Sequence, residues 1–572
     1  MNFDWIIRKQ ADIQKIKELS SQTKNLHPIL TNLLISRNID TKQKIHDFFK
    51  PKLENLHDPF LLKDMKNAID RLEEAIKYNE KILVYGDYDV DGTTAVALVY
   101  TYLKKLTNNI DYYVPDRYTE GYGISFKGID FAAENEFSLI IALDCGIKAV
   151  DKIDYASKKN IDFIICDHHT PGEQLPKAKA VLNPKRSDCQ YPFKELTGCG
   201  VGFKLIQALS LHYTTISPNE LYSLLDFVAI SIASDIVPVN GENRILAYFG
   251  LKELAQTKKP GLIALKKVAQ IDNFSDISIS DVVFRIGPRI NAAGRIEHAS
   301  HSVNLLIEQN QQNADEMAQK LNEYNSERKN EQDNITNEIL EMFKTDISLS
   351  EKKSTVVYNE NWNKGVVGIV ASKIIEHYYK PTIILTKSEN KWTGSARSVE
   401  NFDLYDAIEQ CSHLLTNYGG HKFAAGITLN EENLQKFVNS FENIVANRIT
   451  SEHFAPKLQI AGILDFVDIT EKFVDIVELF APFGPENLTP VFLTTGVVDT
   501  GFSVQMGKNY EHLRLFIQDK FGNKMQAIAF NFGHYFEIIK TKKPFDICYS
   551  VQNQIYNGQK NIQLNIKDFR FY

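Results

Sequence analysis

The chain has 572 residues, 43% hydrophobic and 24% charged, with a formal net charge of −7 and six cysteines. That length suits roughly three or four domains with cores of their own. No uncharged apolar run approaches the ~18 residues of a membrane span, and the N-terminus MNFDWIIRKQADIQKIKEL lacks a basic-then-apolar signal pattern. With no CxxC pair or disulfide-like spacing, the cysteines point to reduced thiols in a cytoplasmic protein and away from structural zinc. The acidic balance excludes no partner, because a metal site gathers carboxylates while a groove elsewhere stays basic.

Residues 1–75 are expected to form a mostly helical N-terminal extension with a break at Pro51. Over 76–300, strand-like runs at 81–86, 111–115, 138–143 and 161–166 alternate with amphipathic segments such as TTAVALVYTYLKKL. This alternation is the signature of βαβ units and predicts a doubly wound parallel sheet. The polar stretch within 301–348 places Met317, Leu321 and Tyr324, then Ile335, Ile339 and Phe343, at helical spacing. It predicts a long connecting helix. A second α/β domain is expected over 349–453, with VVGIVASKIIEHYYK as a helix and KWTGSARS as a polar strand. Residues 454–572 break into short runs such as VFLTTGVV, HLRLFIQD and NIQLNIKDF, which predict an OB-type β-barrel. Phe502, Tyr510, Phe521 and Tyr556 are its aromatic candidates for contact with a ligand, although most barrel aromatics are core.

Three apolar runs of the first α/β region end in aspartate: KILVYG in Asp87, Asp89 and Asp91, SLIIAL in Asp144, and IDFIIC in Asp167, His168 and His169. Side chains at the carboxyl ends of parallel strands converge on one crevice, so carboxylates and imidazoles gathered there make a site for divalent metal. Gly92, Thr93 and Thr94 then open a helix whose N–H groups favour phosphate. A calcium loop is the competing reading of DYDVDG, but Leu98 stands where the loop needs its twelfth-position glutamate. A lone Asp144 after a strand is commonly a turn former; in company it is the candidate to bridge two ions. Adjacent imidazoles at a strand end point in alternate directions, one to a metal and the other to a phosphate or a supporting partner. Asp235 follows the apolar LLDFVAISIA, where an unpaired carboxylate is costly; it is a further candidate ligand, while Asp226 is assigned to structure.

GDYDVDG, ALDCG, CDHHTP and SDIVP resemble, in order and spacing, the four motifs of the DHH phosphoesterases. GPRINAAGR and GGHKFAAG resemble the interdomain motif and the DHHA1 glycine-rich loop of that superfamily's single-strand-specific 5′ to 3′ exonucleases. The resemblance spans residues 60–572. It implies metal ligands at Asp87, Asp89, Asp91, Asp144, His168 and Asp235, with Asp144 bridging, His169 near the scissile phosphate and Asp167 orienting the histidines. Many DHH enzymes carry a histidine four residues before the aspartate matching Asp89. Tyr85 stands there, which leaves the share-out among Asp87, Asp89 and Asp91 open. Two Mn²⁺ or Mg²⁺ ions are the implied cofactors, and the oxygen-rich ligand set suits them better than zinc.

Ser395 and Arg397 would form a pocket for a terminal 5′ phosphate, as bidentate Arg contacts do. Arg117, Arg289 and Arg295, with Asn291 between the last two, would hold backbone phosphates, Tyr122 would stack a base, and Gly419, Gly420 and His421 would admit the strand closely. For any one arginine, packing is an equal alternative. The implied activity is stepwise hydrolysis of single-stranded DNA to 5′ mononucleotides in recombination and repair. Single-strand specificity would come from a narrow channel between two α/β domains. Action as a monomer and partnership with a single-strand-binding protein and a repair helicase complete the expectation. An enzyme for very short oligonucleotides or cyclic dinucleotides, and a pyrophosphatase, share the chemistry but need no barrel. A degenerate scaffold would have lost carboxylates that are all present here.

Overall fold

The computed structural model describes residues 3–213, 216–271, 276–388, 390–450, 455–556 and 559–572. They fall into two compact units. A parallel-sheet unit takes residues 34–325 with the segment Leu479–Thr489, and a barrel unit takes residues 1–33, 326–478 and 490–572.

The parallel-sheet unit is built on five parallel strands in the order Ile110–Tyr113, Ile82–Gly86, Leu139–Leu143, Asp162–Cys166, Ala180–Leu182. Alternate residues of each strand enter opposite cores. Ile82, Val84, Ile141, Leu143 and Ile164 join one, while Leu83, Tyr85, Ile140, Ala142 and Ile165 join the other. Burial on both faces is why these strands are continuous apolar runs rather than alternating ones. Gly86 pairs with Leu143 and Leu143 with Cys166, so the next residues, Asp87, Asp144 and Asp167, leave three neighbouring strands in a single row.

The segment Leu479–Thr489 is pinned within this unit by two arginines. Arg244 donates to the Phe480 carbonyl at 2.8 Å and its guanidinium lies 3.8 Å from the Phe48 ring centre. Arg37 donates to Asn487 Oδ1 at 2.5 Å and to the Leu488 carbonyl at 2.7 Å. Burial and the neighbouring charge of Arg37 push Arg244 down to about 9. The fully buried ion pair of Lys204 with Glu242 (3.0 Å) lies in the same unit. Glu242 also accepts from the Tyr191 hydroxyl at 2.6 Å and the His57 N–H at 3.1 Å, so its lone pairs are well used.

In the barrel unit, a sheet runs in the order Asn417–His421, Ala424–Leu429, Lys391–Arg397, Thr382–Ser388, Thr355–Tyr358. A helix of 35 residues, Gln311–Thr345, crosses the unit boundary. Ala314, Ala318 and Leu321 of its first half belong to the core of the parallel-sheet unit, and Ile335, Ile339 and Phe343 to a core of the barrel unit. The long polar helix expected from the spacing is therefore amphipathic twice over. Near the C-terminus, Phe492–Asp499, Phe545–Tyr556, Gln559–Phe571, Lys524–Ala529 and His512–Gln518 pair in that order, and Val498 pairs with Gln518 to close the ring. This is the five-stranded closed barrel of the OB type. Phe502, Tyr510 and Phe521 are exposed on it; the Tyr556 side chain lies outside the described residues.

The N-terminal stretch is mostly helical, with one strand at its start. Residues 4–7 are a strand, not helix, paired in parallel with Lys457–Ile460, and Trp5 Nε1 donates to Asp568 at 2.8 Å. Four residues that pair with a partner some 450 positions away leave no local period to read. Among the described residues, no helix is long and apolar enough to cross a membrane.

Candidate metal centre and substrate-binding residues

The row of strand ends is completed by helix termini. Asp89 caps the helix Val90–Leu103, accepting from the Gly92 N–H at 3.1 Å. Asp91, in its first turn, accepts from the N–H groups of Gly198 (2.7 Å) and Cys199 (2.8 Å) and from Ser231 Oγ (2.7 Å). Those two N–H groups are the orphan donors that open the helix Gly198–Ser210, where a negative charge is favoured. Asp87 accepts from the Gly123 N–H at 3.2 Å. Asp144 sits at φ 60°, in the left-handed region that Asp tolerates better than most residues, and is 2% exposed. A Cβ on Gly198 would lie 2.4 Å from Asp144 Cβ, so only glycine can open that helix here. Asp235 caps the far end of Leu225–Ser234.

These side chains form overlapping groups, in which Asp144 is shared by Asp87 and Asp89 on one side and by His168 and His169 on the other, and His168 in turn by Asp91 and Asp235. Asp87, Asp89 and Asp144 present oxygens within 4.8 Å of one another, as do the ligand atoms of Asp91, His168 and Asp235. His168 Nε2 lies 3.2 Å from Asp144 Oδ1 and 3.7 Å from both Asp91 and Asp235, so Asp144 stands between the clusters. Asp87 and Asp89 thus fall in one group and Asp91 in another. Tyr85 itself is buried away from the cluster, its hydroxyl donating to the Gly123 carbonyl at 3.0 Å and accepting from the Ser125 N–H at 3.1 Å. It thereby fixes the loop whose Gly123 holds Asp87.

The electrostatics fit cations. Asp144 Oδ1 and both ring nitrogens of His168 are buried without a hydrogen-bond partner among the described residues, although such atoms are normally satisfied. Burial, then repulsion from the neighbouring aspartates, raises the carboxyls of Asp87 and Asp144 well above their ordinary range, and burial with Asp91 and Asp89 pushes Asp235 up to about 8. Burial lowers the His168 imidazole and favours the neutral ligand form. Asp167 is the exception. Burial opposes its ionisation, but hydrogen bonds and charge from His169 and the Ile147 N–H hold it at about 2. Its Oδ1 lies 2.8 Å from His169 Nδ1, fixing that ring, and the same bond outweighs burial to raise the His169 imidazole.

The raised carboxyls predict a pH signature. In the cation-free protein their contribution to stability is full below the unfolded pKa of about 3.9 and is lost as pH rises through the folded values, near 8 for Asp235. A cation binds the deprotonated cluster and reverses that loss. The gain in melting temperature from Mn²⁺ over chelator is expected to widen from pH 6 to pH 8; a gain constant across that range, followed by calorimetry, would count against this account.

Other candidates take mixed positions. The helix Gly287–Ile296 is brought against the cluster, since a Cβ on Gly294 would lie 3.0 Å from the Tyr88 carbonyl oxygen. Asn291 Oδ1 is buried on it without a partner among the described residues. Arg117 stacks 3.8 Å from the Tyr88 ring centre and donates to the Gly294 carbonyl at 2.8 Å, and the Tyr118 hydroxyl donates to the Arg295 carbonyl. Arg289 departs from the expectation of an open phosphate clamp. It donates to Asn322 Oδ1 (2.9 Å), the Arg285 carbonyl (2.5 Å) and the Val268 carbonyl (3.1 Å), bracing the end of the helix Pro260–Val268.

Tyr122, expected to stack a base, is committed elsewhere by its hydroxyl. It donates to the Asp144 carbonyl at 3.1 Å and lies 3.1 Å from His169 Nε2, with the two rings edge-on at 73°. Replacing Tyr122 by Phe keeps the ring and removes the brace. Turnover is expected to fall about tenfold with KM unchanged; a variant with wild-type turnover would return Tyr122 to stacking alone.

In the barrel unit, Ser395, Gly426 and Gly419 pair across three strands, as do Arg397, Ala424 and His421 in the adjacent same-face row. Ser395, Arg397, Gly419 and His421 therefore share a face, and Arg397 donates to Ser395 Oγ at 2.6 Å. Gly420, at φ 145°, belongs to the opposite face, where a Cβ would strike the Ala424 carbonyl oxygen at 2.3 Å. The sequence reading missed the glycine-rich helix opening at Thr197–Gly198–Cys199; TGCGVG before an apolar run was the available signal.

A doubly wound sheet with carboxylates and two histidines on a row of strand ends, joined to a second α/β domain and a closed barrel, defines the DHH class of phosphoesterases. The sequence matches the DHH family, N-terminal domain, over residues 81–232, the DHHA1 domain over 351–447 and the RecJ OB domain over 460–568. The chain belongs to the RecJ family of single-stranded-DNA-specific exonucleases. It is 36% identical to the RecJ exonuclease of Bacillus subtilis over 99% of its own length and 70% of that protein. Its fold is that of Thermus thermophilus RecJ solved with Mn²⁺ (TM-score 0.85, 24% identity, covering 99% of this chain and 79% of that one). A further solved structure, exonuclease RecJ bound to manganese, is 30% identical over 68% of this chain and 96% of that one, with a TM-score of 0.59.

Proposed function

We propose that this chain is a single-stranded-DNA-specific exonuclease that hydrolyses phosphodiester bonds from the 5′ end and releases 5′ mononucleotides, using two Mn²⁺ or Mg²⁺ ions. The observation that carries it is the placing of Asp144 between the Asp87 and Asp89 carboxylates and His168 of the group with Asp91 and Asp235, with ligand atoms buried at that junction that have no hydrogen-bond partner among the described residues. In this reading Asp87 and Asp89 would hold one ion, Asp91, His168 and Asp235 the other, and Asp144 would serve both. Bound there, the ions would supply an activated water and neutralise charge on the phosphate and the leaving oxygen.

The chain's own groups do the rest. Gly198 and Cys199 N–H groups and Ser231 keep Asp91 in place. Asp167 holds His169, and the raised imidazole offers positive charge to the scissile phosphate. Ser395 and Arg397 receive the terminal 5′ phosphate, which sets polarity. Cytoplasmic action as a monomer in recombination and repair, beside a single-strand-binding protein and a repair helicase, rests on the family resemblance.

The test is digestion of a long end-labelled single strand in Mn²⁺ or Mg²⁺, beside duplex DNA and a dinucleotide. Stepwise mononucleotides from the 5′ end of the single strand are expected. Activity confined to the dinucleotide would overturn the reading in favour of a short-substrate enzyme.

A further inference from the structure

Beside Ser395 the barrel unit carries a cavity of about 410 Å³. We propose that it is a subsite for the outer phosphates of a polynucleotide 5′ end bearing more than one phosphate. The proposal rests on the reading of Ser395 and Arg397 as the place of the first phosphate.

Strand register decides what lines it. Thr393, Thr428 and Asn417 pair across three strands in the row next to Ser395, Gly426 and Gly419, and alternate residues of a strand share a face. The Ser395 row has a bare floor, for a Cβ on Gly419 would meet nothing within 4 Å and one on Gly426 only the Gly394 carbonyl oxygen at 3.9 Å. The adjoining row offers two hydroxyls, 3.3 Å apart, and a carboxamide. Lys364, just before the helix Val367–His377, lines the same cavity, is exposed and has no carboxylate partner among the described residues.

The chemistry favours phosphate over a base or a cation. Among the described residues no Asp or Glu lines the cavity, and the one aromatic residue that does, Tyr418, packs against the core of the sheet's other face. No ring is left to stack a base. Two residues along a strand advance about 6.8 Å, which matches the reach of a triphosphate better than that of one phosphate. Arg397 is not part of the lining, so the cavity extends from Ser395 away from the guanidinium.

On such an end the first turnover needs no new chemistry. The oxygen of water bonds to the phosphorus between the first and second nucleotides, the bond to the 3′ oxygen breaks, and that oxygen leaves with a proton. The products are a nucleoside 5′-triphosphate and a strand with an ordinary 5′ monophosphate. Ends of this kind come from polymerisation begun without a primer, in which the first nucleotide keeps its triphosphate.

The test uses the full chain in Mn²⁺ and otherwise identical single strands carrying a 5′ hydroxyl, monophosphate or triphosphate, labelled in the first nucleotide. Wild type is expected to release labelled nucleoside triphosphate from the last at a kcat/KM close to that for the monophosphate. Lys364→Ala and, separately, Thr428→Val are expected to lower kcat/KM for the triphosphate end about tenfold, the loss of one charge-assisted contact, while leaving the monophosphate end as in wild type. Refusal of triphosphate ends by wild type, or equal losses on both ends, would overturn the subsite. Indifference of wild type to monophosphate over hydroxyl would instead remove the first-phosphate reading on which it rests.

Discussion

Asp144→Ala is expected to reduce hydrolysis by at least about a thousandfold and to lower the number of Mn²⁺ ions bound, since in the proposed reading one carboxylate serves both ions and groups acting as a unit fail together. The fold is expected to survive. Asp144 is buried among Asp91, Asp89, Asp235 and Asp87, and burial, then repulsion from those carboxylates, raises its carboxyl well above the usual range. Removing that charge should raise the melting temperature of the chelator-treated protein while abolishing the rise that Mn²⁺ gives wild type. Metal titration and calorimetry on the variant read both effects. A variant that keeps activity within tenfold, or melts lower than wild type in chelator, would refute the shared-ligand account.

The largest effect on stability is expected from Lys204→Met. The ammonium and the Glu242 carboxylate are both fully buried at 3.0 Å, and Lys204 also donates to the His57 carbonyl at 2.6 Å. Removing one partner leaves the other charged and dry, which costs about 3–5 kcal/mol. Burial already lowers the Lys204 ammonium despite the pull of Glu242. Lys204→Met with Glu242→Gln should recover part of the loss, because the amide still accepts from Tyr191 or the His57 N–H. All three tryptophans, Trp5, Trp362 and Trp392, lie in the barrel unit, so their fluorescence would miss the change. Hydrogen exchange of the helix Gly198–Ser210 reads it directly, and unchanged protection there would defeat the prediction.

The parallel sheet was legible because strands buried on both faces must be unbroken apolar runs, and an aspartate ending such a run has only the crevice to enter. Ser395 and Arg397, two residues apart on the polar strand expected at KWTGSARS, share a face by the period of two. The sequence could not divide three aspartates between two clusters. Asp91 is set apart by N–H groups of a helix more than a hundred residues away, and nothing local to GDYDVDG encodes that. Arg289 misled for a related reason. A guanidinium near a glycine-rich motif looks the same whether it awaits a phosphate or closes the carbonyl end of a neighbouring helix. Tyr122 lies against His169 and the Asp144 carbonyl, but its edge-on geometry depends on His169, which a linear pattern cannot orient. The N-terminal strand and the Leu479–Thr489 insertion depend wholly on distant partners.

That insertion sets a timetable for the nascent chain. Residues 34–325 of the parallel-sheet unit emerge from the ribosome first, and its last piece begins at Leu479, 479 − 325 = 154 positions later. At about 5–20 residues per second the delay is on the order of 10–30 s. Through that interval Arg244 waits without the Phe480 carbonyl and Arg37 without Asn487. The hydrolytic half of the enzyme is therefore finished only when about two thirds of the region that follows has been synthesised, and a chain that stalls or is clipped before Thr489 leaves that half open to chaperones and proteases.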